Sequence, residues 1–376
     1  MKITFISNFL NHHQIPLCDA WMSNQDVKFT FIATERVPED RKAMGYYSEF
    51  SNYSYYKEIG HGFTVEEAEQ LCYDSDVVII GSASQQYIRH RLQDNKLTFL
   101  YSERFFKDGF WAHPGDILRT IRKTTRYRFK SFYILCASSY TAKDCRRVGF
   151  GKKTLKWGYF PQTKQYSNEQ LVENKKRGVI KLLWVGRLLK WKHPEIFLNV
   201  CNELKQSGFA FVADIIGSGE MEREISDYIH TNGLSEMVKM LGNMSPEKVR
   251  THMEESNIFL FTSDYREGWG AVINEAMNSG CAVIACEEAG ATKYLIEHDK
   301  NGLLYKDSTD KKRVFELVKK YIENRELCNE FGNKAYNTIL HTWNAEVAAT
   351  RLYEFSKAFL EKKSLPQYLE GPMSQA

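Results

Sequence analysis

Two carboxylates lie in and just after a glycine-rich turn whose residue types suit hydrogen bonding to an anionic, hydroxyl-bearing ligand. Glu267 opens the run Glu267-Gly268-Trp269-Gly270, and Glu275 follows eight residues after Glu267 in a stretch with helical character. The glycines let the backbone approach a ligand closely, and free N–H groups at a helix start favour a diphosphate. Carboxylates accept hydrogen bonds from hydroxyl pairs, so one glutamate suits a sugar and the other a ribose. A solvated glutamate beside a capping loop is the competing interpretation of this turn alone.

Two cations follow an earlier apolar run that ends at Gly186. Arg187 and Lys192 are five residues apart. Arginine offers forked hydrogen bonds and lysine a compact point charge, which together suit a diphosphate. Taken alone, the pair is better explained as two surface charges near the start of a helix.

Two further apolar runs end in turns that contain glycine. Gly217 and Gly219 belong to a strand-to-helix turn, which is a weak signal by itself. Gly242 and Asn243 close another strand and offer backbone amides for a nucleobase. Neither turn indicates a binding site by itself, and each becomes informative only together with the other motifs in their order along the chain.

The elements that must position these residues form two sets in series. Short apolar runs separated by helix-length segments predict parallel sheets covered on both faces. The first set of predicted strands comprises Lys2–Ser7, Val27–Ala33, Val77–Gly81, Leu97–Tyr101 and Tyr133–Ala137. The second comprises Ile180–Val185, Phe211–Ile216, Val238–Leu241, Ile258–Phe261, Ala282–Ala285 and Gly302–Tyr305. Doubly wound sheets bind ligands at the carboxyl ends of their strands, which places the predicted site in a cleft between two such domains.

The predicted domain boundaries follow from this division. Residues 1–162 form the first domain and residues 163–345 the second, while residues 346–376 form a crossover helix and a tail. The charged stretch Gln162–Gly178 is interpreted as a linker or surface loop. The last helices are expected to return to the first domain, and the Pro- and Gly-containing tail is expected to lack order.

The charge distribution separates the two halves. Residues 1–178 carry 27 Lys and Arg against 19 Asp and Glu, whereas residues 179–376 carry 24 against 28. With 43% hydrophobic and 26% charged residues, the 376-residue chain has a globular balance that excludes a disordered or fibrous class. The first half is therefore the basic one, and a functional interpretation has to explain that.

Cysteine use and hydropathy predict an intracellular chain. The eight cysteines form no CxxC pair and several lie in apolar runs, which favours buried, reduced thiols over a zinc site. The N-terminal apolar run is too short for a signal peptide, and no window is apolar enough to span a membrane. We therefore expect a cytoplasmic protein that is peripheral at the inner face of the cell membrane.

The order of these motifs resembles the donor-binding domain of the family 4 glycosyltransferases of GT-B fold. The resemblance covers about residues 180–345, and the pair Glu267 and Glu275 is its most specific mark. Trp343-Asn344 is similar to the motif that precedes the family's final helices. The implied fold is two Rossmann-like, doubly wound parallel-sheet domains facing across a cleft.

The resemblance implies roles for single residues. Arg187 and Lys192 look like diphosphate ligands, Glu267 like the ligand of the donor sugar's hydroxyls, and Glu275 like the ribose ligand. The family is retaining and needs neither metal nor cofactor, and the leaving diphosphate helps to deprotonate the acceptor. The catalytic candidates are therefore Glu267, Arg187 and Lys192. The donor-binding candidates are Gly186, Gly217, Gly219, Gly242, Asn243, Gly268, Trp269, Gly270 and Glu275.

Four residues of the first half are candidates for the acceptor side. His12 and His13 follow the first strand, where either could touch an acceptor or act as a base, and the alternative is that they are polar surface residues at the start of a helix. Glu103 and Arg104 follow the strand that ends at Tyr101. They either contact an acceptor or pair with each other.

The basic excess is concentrated between residues 104 and 177, the last of which lies outside the residues that the structure describes. Within this stretch, residues 117–132 interleave cations with apolar residues, which predicts a cationic amphipathic helix that lies on anionic lipid. A solvated basic face is the alternative. Nucleic-acid binding is a third interpretation, but no nucleic-acid-binding motif accompanies the charge, so we expect no nucleic-acid partner.

These observations predict a hexosyltransferase-type enzyme. It would transfer a sugar from a nucleotide-diphosphate donor, with UDP as the expected nucleotide, to a lipid-linked glycan acceptor in bacterial surface polysaccharide biosynthesis. The alternatives are a GT-B-fold sugar-nucleotide epimerase and a non-catalytic nucleotide-sugar-binding partner of another transferase.

Overall fold

The chain folds as two compact units, each built around one parallel sheet. The computed structural model describes residues 1–38, 50–176 and 178–376. The first unit comprises Met1–Gln162 together with Thr342–Ala376, and the second comprises Thr163–His341.

The first unit contains a seven-stranded sheet in the order β3-β2-β1-β4-β5-β6-β7. All pairs are parallel. The central strands are nearly continuous apolar runs because helices cover both faces of the sheet. The strands are β1 Lys2–Ser7, β2 Lys28–Ala33, β3 Tyr56–Glu58, β4 Val77–Ile80, β5 Thr98–Ser102, β6 Phe132–Cys136 and β7 Thr154–Lys156.

The second unit contains a six-stranded parallel sheet in the order β10-β9-β8-β11-β12-β13. The winding changes side between β8 and β11, so the carboxyl ends of these two strands flank the topological switch point. The strands are β8 Ile180–Val185, β9 Phe211–Ile216, β10 Val238–Met240, β11 Ile258–Phe261, β12 Ala282–Cys286 and β13 Leu303–Tyr305.

Helices connect the strands of both sheets. Those of the first unit are α1 Ile15–Met22, α2 Val65–Asp74, α3 Arg89–Gln93, α4 Pro114–Lys123, α5 Thr141–Arg147 and, after the second unit, α14 Ala345–Leu360. Those of the second unit are α6 Asn168–Lys176, α7 Pro194–Gln206, α8 Glu222–Thr231, α9 Pro246–Glu255, α10 Val272–Asn278, α11 Thr292–Leu295, α12 Lys311–Glu323 and α13 Arg325–His341. Helix α14 packs on α1, where the indole N–H of Trp21 donates to the carbonyl of Ala349 at 3.3 Å.

The predicted fold class of two Rossmann-like parallel sheets is confirmed, while two local predictions are wrong. The stretch Gln162–Gly178 is not a simple linker, because it contains α6. The backbone N–H of Lys164 donates to Asn278 Oδ1 at 2.8 Å, and Lys175 Nζ donates to the carbonyl of Ser256 at 2.5 Å. This stretch therefore packs as part of the second unit.

The C-terminal tail was expected to lack order, and this prediction is also wrong. Lys156 of edge strand β7 donates its N–H to the carbonyl of Ser374 at 2.7 Å, and Met373 donates back to the carbonyl of Lys156 at 2.8 Å. The side chains of Met373 and Ser374 are buried. An antiparallel bridge joins Leu155 to Gln375, so the tail covers a sheet edge that would otherwise present unpaired backbone groups.

The basic segment 117–132 is helical over a shorter length than predicted. Helix α4 ends at Lys123, and a 3-10 turn follows over Thr125–Tyr127. Thr124 and Thr125 are buried, and Thr125 donates its hydroxyl to the carbonyl of Val148 at 2.6 Å. These buried threonines anchor the segment to the unit and interrupt the helix.

No helix among the described residues combines the length and apolarity that crossing a membrane requires. The eight cysteines are buried and free, which agrees with the prediction of unpaired thiols.

Candidate active site

Lys192 and Glu267 form an ion pair beside the switch point of the second unit. Lys192 follows β8 and Glu267 follows β11, and Lys192 Nζ lies 2.5 Å from Glu267 Oε2. The two side chains are only 13% and 12% exposed. The structure thus brings together one predicted diphosphate ligand and the predicted sugar ligand at the edge where such sheets bind ligands.

Arg187 occupies the same loop as Lys192 but is exposed. It follows Gly186, whose N–H donates to the carbonyl of Ile216 at 3.0 Å. Of the two cations in this loop, Lys192 is therefore held in a buried ion pair and Arg187 is exposed to solvent.

The loops after β8 and β9 pack backbone against backbone at two predicted glycines. A Cβ atom on Gly217 would lie 1.9 Å from the carbonyl oxygen of Gly186. A Cβ atom on Gly219 would lie 2.5 Å from the carbonyl oxygen of Leu188. Both positions therefore require glycine for loop packing.

The turn after β10 joins the same layer of loops. Gly217 donates its N–H to the carbonyl of Gly242 at 2.8 Å, and Asn243 Nδ2 donates to Ser218 Oγ at 2.7 Å. Gly242 has a positive φ of 67°, which favours glycine. Three strand ends thus present one continuous loop surface.

The loop that carries Glu267 is fixed from several sides. Gly290 donates its N–H to the carbonyl of Glu267 at 3.2 Å. Gly270 has φ of 89°, and a Cβ atom there would lie 2.3 Å from Cζ of Phe261. Gly268 is buried in the same turn. The predicted role of Trp269 concerns its backbone, because its side chain is fully buried and its indole N–H donates to Asn274 Oδ1 at 2.9 Å.

Glu275 lies inside α10, and its environment disfavours the charged form. Burial raises the pKa of its carboxyl to about 7, and the nearby Arg250 guanidinium offsets part of that rise. Arg250 itself hydrogen-bonds Asn278 Oδ1. The protonation state of this carboxyl therefore changes near neutral pH.

The first unit holds a second polar cluster, in which Glu103 is bound by two partners. Tyr159 donates its hydroxyl to Glu103 Oε1 at 2.7 Å, and Lys107 Nζ lies 2.8 Å from Glu103 Oε2. The ring of His13 is parallel to that of Tyr159, with centroids 6.1 Å apart, and His12 lies 3.6 Å from His13. The structure therefore joins three of the four predicted acceptor-side residues through Tyr159.

Arg104 does not pair with Glu103, which resolves one of the alternatives. Its Nε lies 3.8 Å from Asp144 Oδ2, and its guanidinium lies 5.0 Å from the Tyr140 ring. Burial raises the pKa of Asp144, although Phe106 N–H and Arg104 oppose that rise. A cavity of about 300 Å³ borders Arg104 and is also lined by Lys107.

His13 is held neutral near pH 7. Burial lowers the pKa of its ring well below the usual range, and His12 lowers it further. Its Nδ1 atom is buried without a hydrogen-bond partner among the described residues. Its chemistry is therefore that of a neutral imidazole with one available nitrogen.

Sequence reasoning missed several residues that hold the site together. His193, Thr262 and Asp264 connect the loops after β8 and β11, and Tyr159 orients Glu103. The available signal for Thr262 and Asp264 was their position directly after a predicted strand, whereas His193 lies further along the loop after β8 and carried no such signal. Tyr159 follows β7, which was not predicted, so no signal placed it at the carboxyl edge.

Comparison with known proteins agrees with this geometry. Residues 166–338 match the model of the family Glycosyl transferases group 1. The amylovoran biosynthesis glycosyltransferase AmsK of Erwinia amylovora is 32% identical over 130 residues, which is 33% of this chain and 32% of that protein. The putative colanic acid biosynthesis glycosyltransferase WcaL of Escherichia coli K12 is 29% identical over 130 residues, again 33% and 32%. The chain thus matches about a third of the length of these curated relatives.

Solved structures match over nearly the whole chain. Anabaena Alr3699/HepE in complex with UDP superposes with a TM-score of 0.71 at 16% identity, covering 95% of this chain and all of that one. Its complex with UDP-glucose gives a TM-score of 0.66 at 16% identity, covering 96% and 100%. The fold is therefore GT-B, as the resemblance implied, and residues 166–338 match a glycosyltransferase family model.

Proposed function

We propose that this chain is a retaining, metal-independent hexosyltransferase that transfers a sugar from a UDP-sugar to a glycan acceptor. The observation that carries the proposal is the buried pair Lys192–Glu267 at the switch point of a parallel sheet. A cation for a diphosphate and a carboxylate for sugar hydroxyls stand there in contact, at 2.5 Å.

The second unit would bind the donor. Lys192 and Arg187 would bind the diphosphate, Glu267 the hydroxyls of the sugar, and Glu275 the ribose. UDP is the expected nucleotide because Anabaena Alr3699/HepE, which shares the fold, has been solved with UDP and with UDP-glucose. The loop surface that ends in Gly242 and Asn243 would receive the base.

The proposed reaction keeps the configuration of the sugar. The bond from the anomeric carbon to the diphosphate oxygen breaks while the acceptor oxygen bonds to the same face. The acceptor proton passes to the leaving diphosphate. Negative charge develops on that leaving group, and Lys192 and Arg187 stabilise it without a metal ion.

The first unit would bind the acceptor. The network of Tyr159, Glu103 and Lys107 offers fixed donors and acceptors for a glycan, with neutral His13 beside it. The names of the amylovoran and colanic acid relatives support a role in bacterial surface polysaccharide biosynthesis, for which the proposed acceptor is a lipid-linked glycan.

An anionic membrane surface is the proposed partner of segment 117–132. Leu118 and Ile121 are exposed on α4, and Phe129 beyond it is 83% exposed. Trp111, just ahead of α4, is 79% exposed. Aromatic side chains at the surface beside cations suit an anionic lipid interface. The exposed cations are Arg119, Arg122, Lys123, Arg126 and Arg128.

A thermal-shift and calorimetric screen of nucleotide sugars tests the proposal, because a specific ligand stabilises the folded state. We expect one UDP-sugar to bind, and a suitable acceptor to yield UDP and a product of retained configuration, with undiminished rate in the presence of EDTA. Conversion of the donor without an acceptor would instead indicate an epimerase. Binding without turnover for any acceptor would indicate a non-catalytic partner, and no binding by any nucleotide sugar would refute the proposal.

A further inference from the structure

His193 occupies a strained backbone position between Lys192 of the candidate donor site and helix α7. It follows Lys192 directly and precedes α7, and its φ of 50° and ψ of 50° lie in the left-handed region that non-glycine residues rarely adopt. Its Nδ1 lies 2.8 Å from Glu195 Oε1, and its Nε2 lies 3.6 Å from Asp264 Oδ2. Both ring nitrogens thus face a carboxylate.

Asp264 contacts both His193, through its side chain, and Glu267, through its backbone carbonyl. Its backbone N–H donates to the carbonyl of Trp191 at 3.0 Å, and its carbonyl accepts the N–H of Glu267 at 3.1 Å. Its Oδ1 accepts the N–H of Arg266 at 2.8 Å, which shapes the turn that ends at Glu267. The Asp264 side chain is only 8% exposed, so its charge needs a partner.

A second chain of bonds joins the same two loops. The indole N–H of Trp184 donates to Thr262 Oγ1 at 2.9 Å, and the Thr262 hydroxyl donates to the carbonyl of Lys192 at 2.6 Å. Lys192 is therefore fixed from β8 and β11 together. His193 adds an ion pair with Asp264 to these neutral hydrogen bonds between the two loops.

The groups that face His193 favour its protonated form. The hydrogen bond to Glu195 raises the pKa of the His193 ring, and Asp264 raises it further, while burial opposes the rise. The charge of His193 also contributes to lowering the pKa of Asp307, which follows β13. Arg266 Nη1 lies 3.9 Å from Asp264 Oδ2. Only a ring protonated at both nitrogens can donate a hydrogen bond to Glu195 and at the same time direct an N–H toward Asp264, with which it forms an ion pair.

We propose that protonated His193 is a positioning residue: it bridges Glu195 and Asp264, holds the Lys192–Glu267 pair in place, and makes nucleotide-sugar affinity fall when the ring loses its proton. This inference rests on the proposed function, because the affected ligand is the sugar donor. His193 does not itself contact the donor; it acts through Asp264 and the backbone of Lys192.

The test is calorimetric titration of the full chain with the nucleotide sugar selected by the screen, between pH 6 and pH 9. As pH rises through the His193 pKa, the affinity of the wild-type chain relative to that of His193→Asn should fall by about tenfold, the order of coupling between linked sites. His193→Asn keeps a residue that tolerates the left-handed backbone but has no charge. It should bind about tenfold more weakly at low pH and lack the fall at high pH.

Two further variants sharpen the test. Asp264→Asn should also remove the fall at high pH, because the ring loses the carboxylate through which it acts. His230→Asn makes the same exchange at an exposed helical position in the same unit and should titrate like wild type. By linkage, the bound nucleotide sugar should raise the His193 pKa measured by NMR, since ligand and proton favour the same state.

The outcomes separate the inference from the proposed function. If no nucleotide sugar binds at any pH, the proposed function fails and the inference falls with it. If the donor binds but His193→Asn keeps the wild-type pH profile, or the ligand leaves the His193 pKa unchanged, only the positioning role is refuted.

Discussion

Replacing Glu267 by glutamine should separate the affinity for the sugar from the affinity for the diphosphate. The Lys192–Glu267 contact is 2.5 Å and about seven-eighths buried, so glutamine removes the charge while keeping the shape. UDP alone carries no sugar and does not need Glu267. Lys192 is also released from its carboxylate, which favours a phosphate in its place.

The expected magnitude follows from the hydrogen bonds that are lost. A hydrogen bond to a charged group contributes about 1.5–3 kcal/mol, which corresponds to roughly tenfold to a hundredfold in affinity at about 1.4 kcal/mol per decade. Glu267→Gln should therefore weaken UDP-sugar binding by about that factor while UDP binds as tightly as before, or more tightly. Calorimetric titrations with UDP and with the UDP-sugar measure both constants on the same preparation.

Lys192→Met is the matched control, since it removes the other member of the pair with little change in length. It should weaken UDP and UDP-sugar alike, because both carry the diphosphate. Equal losses of UDP and UDP-sugar affinity in Glu267→Gln would contradict the assigned role of Glu267. So would an unchanged UDP-sugar affinity.

Three further predictions address other parts of the chain. With a pKa of about 7 for Glu275, the nucleotide affinity of the wild-type chain relative to that of Glu275→Gln should rise roughly tenfold from pH 6 to pH 8 as the carboxylate forms, as measured in a pH series of titrations of both proteins. Neutralising Arg122, Lys123 and Arg126 together should weaken binding to anionic liposomes by about 3 kcal/mol, at about 1 kcal/mol per cation, while titration shows unchanged nucleotide-sugar affinity. Deleting residues 371–376 should expose the edge strand β7, lower the melting temperature and promote aggregation measured by light scattering, whereas an unaltered melting curve and monodisperse scattering would refute the capping role.

The sequence predicted the strands that are buried on both faces. Ile258–Phe261 is an apolar run without polar interruption, Ile180–Val185 is interrupted only by Lys181, and the structure has both strands with those bounds. The edge strands Tyr56–Glu58 and Thr154–Lys156 were missed, because three-residue strands with polar side chains lack the periodicity of a buried strand. These strands are stabilised by hydrogen bonds to a neighbouring strand and, for β7, also to the C-terminal tail.

Site residues were predictable where the motif itself carries the chemistry. Lys192 and Glu267 have the right types at strand ends, and the structure brings them into contact. His193 carries no such signal, because its role depends on Asp264, which is distant in sequence. Contacts of that kind are set by the packing of two loops, which spacing along one chain segment does not reveal.

The glycines of the predicted donor site illustrate how folding and function share one requirement. Gly217 and Gly219 suggest a backbone that approaches phosphate, yet each is already required by the backbone of the preceding strand's loop, at Gly186 and Leu188. Since no side chain fits at either position with or without a ligand, their presence is explained by packing before any binding is invoked. What that packing achieves is the close layering of three loops at one edge of the sheet, beside Lys192 and Glu267. The charged pair therefore indicates the function, and the glycines allow the fold to build a surface next to it.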